Sequence, residues 1–147
     1  MAAERVLLDT SLLAAASVEE HPGHPEAVAY LDRLTAEGAA GCISPQVCRE
    51  FMVVLTRKPI GPRTFSVPEA LAALAVWRSS CTLLKENEAV VAQWLGLLEK
   101  HDVRGKQVHE ANLVAVMLTH GVTRLGTRNP ADFERYGDAV EVEPITS

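Results

Sequence analysis

Short apolar runs alternate with longer helical patterns along this chain, and that alternation constrains the fold more than any other feature. The apolar runs are RVLLD, AAGCI, CTLL, TRLGT and AVEVEP. Runs of this length are typical of buried strands, whereas the segments between them have the length and apolar spacing of helices. Strands that alternate with helices indicate an α/β fold, with a mainly parallel central sheet of four or five strands flanked by helices.

The helical segments begin at residues that commonly cap helices. Thr10 or Ser11 is predicted to cap a short first helix, and Ser44, followed by proline, is predicted to start a later one. Near the end of the chain, the segment 111–118 contains a single polar residue, Asn112. That segment is therefore predicted to be a buried helix.

Size and composition are those of one folded domain over residues 1–147. Apolar residues make up 48% of the chain and charged residues 22%, which argues against disorder. No apolar run approaches the roughly 20 residues that span a bilayer, and no basic segment precedes the apolar N-terminus as in a signal peptide. The three cysteines form no CxxC pair and are predicted to be buried thiols in a reducing compartment. We therefore expect a cytoplasmic protein.

The formal net charge of −5 argues against a strongly electrostatic grip on nucleic acid. Local clusters matter more than the total, however. Arg57, Lys58 and Arg63 lie together in TRKPIGPR, and Arg104 and Lys106 form a second group. Such charges form either a solvated surface or a binding track, and the sequence leaves both interpretations open.

Three acidic residues stand beside apolar segments. Asp9 ends the first apolar run, Glu50 lies beyond the first turn of its helix, and Glu110 stands at the mouth of the apolar helix. Each has an ordinary explanation: an acid that starts a turn, a border residue whose carboxylate reaches water, and an acid in a first helical turn. Sites in parallel sheets, however, form in the crevice beyond the carboxyl ends of the strands, which is where Asp9 is expected.

Three converging carboxylates repel one another unless a cation lies among them. Ligation by oxygen alone suits Mg²⁺ or Mn²⁺. Zinc prefers histidine or cysteine, and the five histidines form neither an HxxxH nor an HExxH pair. Convergence of the three acids would therefore predict a magnesium or manganese site.

Four segments, in order, resemble the PIN domains of VapC-type ribonuclease toxins from bacterial toxin–antitoxin pairs. VLLDTSLLAA resembles the family's opening strand with its first metal-binding aspartate, and ISPQVCREFMVVLTR resembles the helix that carries the family's glutamate. GKQVHEANLVAVMLTHGV resembles the helix that starts with the third acid, and RLGTRNPADFERY resembles the closing segment. The resemblance covers nearly the full length of the chain and implies a single PIN-like domain.

The resemblance implies hydrolysis of RNA phosphodiester bonds with Mg²⁺ or Mn²⁺ as the cofactor. Asp9, Glu50 and Glu110 match the catalytic metal ligands, with weaker help from Asn129 and Asp132. Two hydroxyls are expected to orient ligands or phosphate oxygens, and four basic residues to guide RNA; these are Thr10 and Thr127, and Arg57, Lys58, Lys106 and Arg128.

The implied partners are an RNA substrate, a cognate antitoxin protein and a second copy of the chain in a homodimer. The apolar residues of PEALAALAVW and YLDRL are candidate surfaces for the protein partners.

Two positions depart from the family pattern. Glu110 stands where the family normally has aspartate, and Asn129 stands where many relatives have aspartate. These departures favour an alternative function, that of a weakly active or inactive PIN-like module that binds RNA or an antitoxin without efficient cleavage. A third class, the phospho-acceptor signalling domain, needs adjacent acids after its first strand and a late lysine; LLDTS offers one acid and RLGTRN offers arginine.

Overall fold

A five-stranded sheet forms the centre of the protein, as seen in a computed structural model that describes residues 3–145. The strands are β1 (Arg5–Leu8), β2 (Ala40–Ile43), β3 (Thr82–Leu83), β4 (Arg124–Thr127) and β5 (Glu141–Pro144). Their order across the sheet is β3-β2-β1-β4-β5, and every neighbouring pair is parallel. The predicted α/β class and its parallel sheet of four or five strands are confirmed.

Six α-helices and one 3-10 helix connect and cover these strands within the described residues. They are α1 (Thr10–Ser17), α2 (His24–Glu37), α3 (Pro45–Arg57), α4 (Val67–Ser80), α5 (Glu88–His101), α6 (Gln107–His120) and the 3-10 helix Pro130–Tyr136. Ser44 caps α3 as predicted, since its side chain accepts a hydrogen bond from the Val47 N–H. The predicted cap of α1 is wrong: Asp9, rather than Thr10 or Ser11, occupies the N-cap position.

The core lies between the sheet and the apolar faces of its helices. Leu7 of β1 and Leu125 of β4 are fully buried, as are Phe51 of α3 and Met117 of α6. Helix α6 has six buried residues between Ala111 and Met117, which confirms the prediction of a buried helix. The helix can be buried because its peptide groups hydrogen-bond within the helix. Gly121 ends it in the left-handed conformation.

Strand β4 begins with a charged residue, Arg124, yet all four of its residues are buried. Arg124 can be buried because carboxylates from other parts of the chain neutralise its guanidinium. It pairs with Glu143 of β5, with Glu37 at the end of α2 and with Glu4. A buried arginine is tolerated where carboxylates satisfy its donors, which only the tertiary structure supplies.

The chain reverses its direction of progress across the sheet between β1 and β4. From β1 it proceeds outward to β2 and β3, whereas β4 and β5 are added on the opposite side of β1. The carboxyl ends of β1 and β4 therefore flank a topological switch point, where crevices open in parallel sheets. The backbone joins the two strands there, because the Asp9 N–H donates to the Gly126 carbonyl at 3.0 Å.

The two segments proposed as partner surfaces differ in exposure. Within PEALAALAVW, Leu71 and Val76 of α4 are more than half exposed. Within YLDRL, Tyr30 and Leu34 are buried in the protein's own core, because this face of α2 covers the sheet. Tyr30 and Leu34 therefore provide core contacts, whereas Asp32 and Arg33 of the same segment are exposed.

The three cysteines are only partly as predicted. Cys42 is buried as predicted, but Cys48 and Cys81 are partly exposed; all three are free thiols.

Within residues 3–145, no helix is both long enough and apolar enough to cross a membrane.

Candidate active site

A cavity of about 210 Å³ opens at the switch point. Six of the residues singled out in the sequence line it: Asp9, Thr10, Glu50, Glu110, Asn129 and Asp132. They come from the junction of β1 and α1, the middle of α3, the first turn of α6 and the segment that follows β4, so the fold brings together side chains that are far apart in sequence. A wider groove of about 640 Å³ beside α5 contains none of them.

Asp9 is the most constrained of the carboxylates. It is 8% exposed, its Oδ1 accepts from the Thr10 N–H at 2.8 Å, and its Oδ2 accepts from two hydroxyls, that of Thr127 at 2.7 Å and that of Ser11 at 3.0 Å. Burial raises the pKa of the Asp9 carboxyl, while these three hydrogen bonds favour the ionised form and oppose the rise. The carboxylate is thus held in one orientation at the base of the cavity.

Glu50 extends into the cavity from α3. Burial and the nearby charge of Asp9 raise the pKa of its carboxyl, and the charge of Glu110 adds to the effect. A hydrogen bond from Gln46 acts in the opposite direction. The charges of Asp9 and Glu110 therefore both act on the Glu50 carboxyl.

Glu110 contributes an oxygen that has no partner. Its Oε2 is buried and accepts no hydrogen bond from any residue of the described part of the chain. An unsatisfied buried carboxylate oxygen is costly, so a native structure rarely retains one without a cation, water or ligand to complete it. Because Glu110 lines the cavity, this oxygen lies at the candidate site.

A buried amide network joins the helices that carry Glu50 and Glu110, and sequence reasoning missed it. Gln46 is 4% exposed, and its Nε2 donates to the His109 carbonyl at 2.9 Å and to Glu50 Oε1 at 3.4 Å. Its Oε1 accepts from Asn112 Nδ2 at 2.7 Å. The available signal was Asn112 itself, the single polar residue in an apolar helix.

Ser11 was considered only as a helix cap, yet it belongs to the site. Its hydroxyl donates to Asp9, lies 3.4 Å from the Thr127 hydroxyl and accepts from the Arg128 N–H at 3.0 Å. Thr127 is fully buried and also accepts from the Asn129 N–H at 3.0 Å. These two hydroxyls connect the first acid to the segment that follows β4.

Thr10 is oriented away from this hydroxyl network. Its hydroxyl donates to the Val47 carbonyl of α3 at 3.4 Å, and its N–H donates to Asp9. The contacts of Thr10 therefore fix Asp9 and pack α1 against α3, whereas Ser11 and Thr127 make the hydroxyl contacts to Asp9.

Known proteins similar to this chain include VapC toxins, and no family model matches it. The chain is 26% identical over 141 residues to Ribonuclease VapC24 of Mycobacterium tuberculosis, covering 95% of this chain and 97% of the relative. VapC20 of the same species, a toxin that cleaves the sarcin–ricin loop, superposes with a TM-score of 0.62 at 23% identity, over 82% of this chain and 86% of that one. VapBC2 from Rickettsia felis, bound to a DNA fragment from its promoter, gives a TM-score of 0.70 at 15% identity, over 95% and 98%.

The chain has the fold of the VapC-type toxins. The resemblance to VapC-type PIN domains inferred from four sequence segments is thereby confirmed. In this VapC-like fold, the carboxylates of the resemblance occupy one cavity, which four short motifs alone could not establish.

The last two acid-site candidates lie at the rim of the VapC-like cavity. Asn129 and Asp132 are both exposed. Asp132 is nevertheless close enough for its charge to add to the rise in the pKa of Asp9. Both residues line the cavity, so they border its solvent side.

The four basic residues predicted to guide RNA lie outside the cavity. Arg57 and Lys58 are exposed at the end of α3, and Lys106 is exposed at the N-cap of α6, one turn before Glu110. Arg128 is partly buried beside Thr127. None of the four lines the cavity itself.

The donor chemistry of the VapC-like cavity fits a hard divalent cation. The candidate donors are carboxylate oxygens, and the orphaned Glu110 Oε2 lacks the partner such a cation would provide. Within residues 3–145, no three His, Cys, Asp or Glu side chains form a closed ligand set as they stand. The acids thus surround the cavity without enclosing one point, and mutual repulsion opposes a closer approach of carboxylates alone.

Proposed function

We propose that this chain is a ribonuclease dependent on Mg²⁺ or Mn²⁺, and that it acts as the toxin of a toxin–antitoxin pair. The observation that carries the proposal is the buried Glu110 Oε2, which has no hydrogen-bond partner within residues 3–145 and lines a cavity shared with Asp9 and Glu50. The likeness to Ribonuclease VapC24 over 95% of the chain supports RNA as the substrate.

Asp9, Glu50 and Glu110 would hold the cation, with Asn129 and Asp132 contributing from the rim. Such a cation makes water more acidic and offsets the negative charge of the phosphate under attack. Asp9 suits this role because three hydrogen bonds fix its orientation before any ligand arrives. Preorganised charge is worth more than charge that must be reoriented during the reaction.

In the hydrolysis, a water oxygen forms a bond to phosphorus, one P–O ester bond breaks, and the leaving oxygen takes up a proton. The proton that the attacking water loses balances the proton that the leaving oxygen takes up. Ser11 and Thr127 keep Asp9 in place, and Thr127 holds the Asn129 backbone beside the cavity.

A negatively charged cavity repels RNA unless cations lie nearby. Arg57, Lys58, Lys106 and Arg128 would supply attraction around the site, and contacts of this kind position the backbone without reading sequence. Because the net charge of −5 makes the chain as a whole repel RNA, binding needs such local attraction.

We further propose a cognate antitoxin and a second copy of the chain as protein partners, acting in the cytoplasm. Structures similar in fold include a toxin–antitoxin complex from Klebsiella pneumoniae. Val67, Leu71 and Val76 of α4 are more than half exposed and offer apolar surface for such contacts.

The decisive test is cleavage of a structured RNA by the purified chain, freed of any antitoxin, with Mn²⁺, with Mg²⁺ and with EDTA. We expect cleavage with either metal and none with EDTA. Asp9→Asn, which keeps the size of the side chain and removes its charge, should abolish cleavage while leaving the fold intact by circular dichroism. Binding of RNA without cleavage under every metal condition would favour the alternative, a PIN-like binding module.

A further inference from the structure

Arg128 is an arginine that lacks an acidic partner within residues 3–145. Its backbone N–H donates to Ser11 Oγ, which anchors it beside the carboxylate cavity. Its guanidinium lies against Gly23, in the loop between α1 and α2. A methyl group on Gly23 would lie 2.6 Å from Arg128 Nη2 and 2.7 Å from Cζ and Nε. The absence of a side chain at residue 23 therefore creates the space that the guanidinium fills.

The same glycine orients His21. The Gly23 N–H donates to His21 Nδ1 at 2.9 Å, so Nδ1 is the acceptor and the proton of the neutral ring is on Nε2. Burial lowers the pKa of His21, and the charges of Arg128 and His24 lower it further. At neutral pH the ring is therefore uncharged and presents an N–H donor at Nε2, which has no partner among the described residues.

The loop that carries these groups is itself fixed. His24 Nδ1 donates to the Ala15 carbonyl of α1 at 2.9 Å, and the His24 N–H donates to the His21 carbonyl at 3.0 Å. Three basic side chains, those of His21, His24 and Arg128, thus lie together on a chain whose net charge is −5. A guanidinium charge with a neighbouring imidazole N–H donor is the chemistry that favours a bound anion.

We propose that Arg128 and His21 form a subsite for an RNA phosphate beside the carboxylate cavity. The proposal rests on the proposed ribonuclease function and names a contact to its substrate. The planar guanidinium offers two parallel donors to one phosphate, and His21 Nε2–H offers a third. A phosphate next to the one that is cleaved would be held there, and the acidic cavity would receive the scissile group.

Gly23→Ala tests the subsite without changing any charge. The added methyl displaces the far end of a flexible side chain rather than backbone, so the fold should be retained. Single-stranded RNA affinity would be measured by fluorescence anisotropy over a range of salt concentrations, and KM and kcat for RNA cleavage would be measured with Mn²⁺. We expect Arg128→Gln to weaken affinity and raise KM by at least about tenfold, the factor for one charged hydrogen bond. The slope of log affinity against log salt should fall by about 0.7, as for one phosphate contact on a single strand.

Gly23→Ala and His21→Phe should change affinity and KM in the same direction, and kcat should change little. Arg33→Gln is the charge-matched control, because Arg33 is exposed on α2 toward its Glu37 end. Unchanged RNA affinity in both Arg128→Gln and Gly23→Ala, with cleavage intact, overturns the subsite and leaves the ribonuclease standing. If the wild type binds RNA but cleaves none, the ribonuclease fails, and the anisotropy series still decides the subsite. Binding of inorganic phosphate at His21, with no loss of RNA affinity in the variants, would mark a plain anion site and would also overturn the proposal.

Discussion

Gln46 and Asn112 hydrogen-bond at 2.7 Å across the two helices that carry Glu50 and Glu110. Since Gln46 also donates to Glu50 and to the His109 carbonyl, one buried amide sets the separation of α3 from the first turn of α6. Second-layer contacts of this kind tune ligand geometry, and their loss typically weakens metal affinity by about 10- to 100-fold.

Gln46→Met should therefore weaken Mn²⁺ binding by about tenfold or more, as measured by titration calorimetry. Methionine keeps the volume of the side chain but removes all three hydrogen bonds, leaving Asn112 Nδ2 without its acceptor. The unfolding free energy should fall by about 1–3 kcal/mol, the usual cost of a buried polar group left unsatisfied. Gln93→Met on the exposed face of α5 is the matched control and should change neither quantity. Loss of stability with unaltered Mn²⁺ affinity would limit Gln46 to a structural role.

Mn²⁺ should raise the melting temperature of the wild type, because the unfolded chain has no preformed site. At a concentration 100 times the dissociation constant, the expected gain in unfolding free energy is about 2.7 kcal/mol. Asp9→Asn should lose this gain in differential scanning calorimetry. An equal rise in wild type and Asp9→Asn would place the bound ion elsewhere.

Acid should weaken the β5 edge of the sheet through Glu143. Burial tends to raise the pKa of its carboxyl, but hydrogen bonds from Arg124 and Tyr30 outweigh burial and hold the pKa below its usual value of 4.5. A lowered folded-state pKa contributes stability that is present above pH 4.5 and is lost as the pH falls through the folded-state value. Glu143→Gln should therefore destabilise the protein at pH 7, and the difference from wild type should narrow below pH 4.5. Urea unfolding at several pH values measures this, and a difference independent of pH would exclude the linkage.

Residues whose role follows from local pattern were predictable, and those whose role depends on a distant partner were not. The positions of Asp9 and Glu50 at the cavity were predictable, because Asp9 ends the first apolar run and Glu50 lies beside the apolar stripe of its helix. The burial of Arg124 in β4 could not be predicted, because its neutralising carboxylates come from Glu4, Glu37 and Glu143, which no local window of sequence contains.

The same limit applies to the site itself. Gln46 looks like any polar residue near the start of a helix, and its role becomes visible only when α6 packs against α3. Ser11 suggested a helix cap because serine commonly serves as one, but the hydroxyl points to Asp9 and Thr127. Gly23 carried no signal at all, because its function is to leave space for Arg128.

The most direct measurement compares RNA cleavage by wild type, Glu110→Gln and Glu110→Asp with saturating Mn²⁺. If Glu110 Oε2 is a metal ligand, Glu110→Gln should lower the cleavage rate by orders of magnitude, because a neutral amide replaces a charged ligand. Glu110→Asp, which shortens the side chain to the length that the resembling family normally uses, should retain cleavage or increase it. If Glu110 is only a first-turn acid, Glu110→Gln would cost a few tenths of a kcal/mol in stability, roughly the effect of an exposed charge at a helix start. Equal cleavage by wild type and Glu110→Gln would contradict the account and remove this residue from the site.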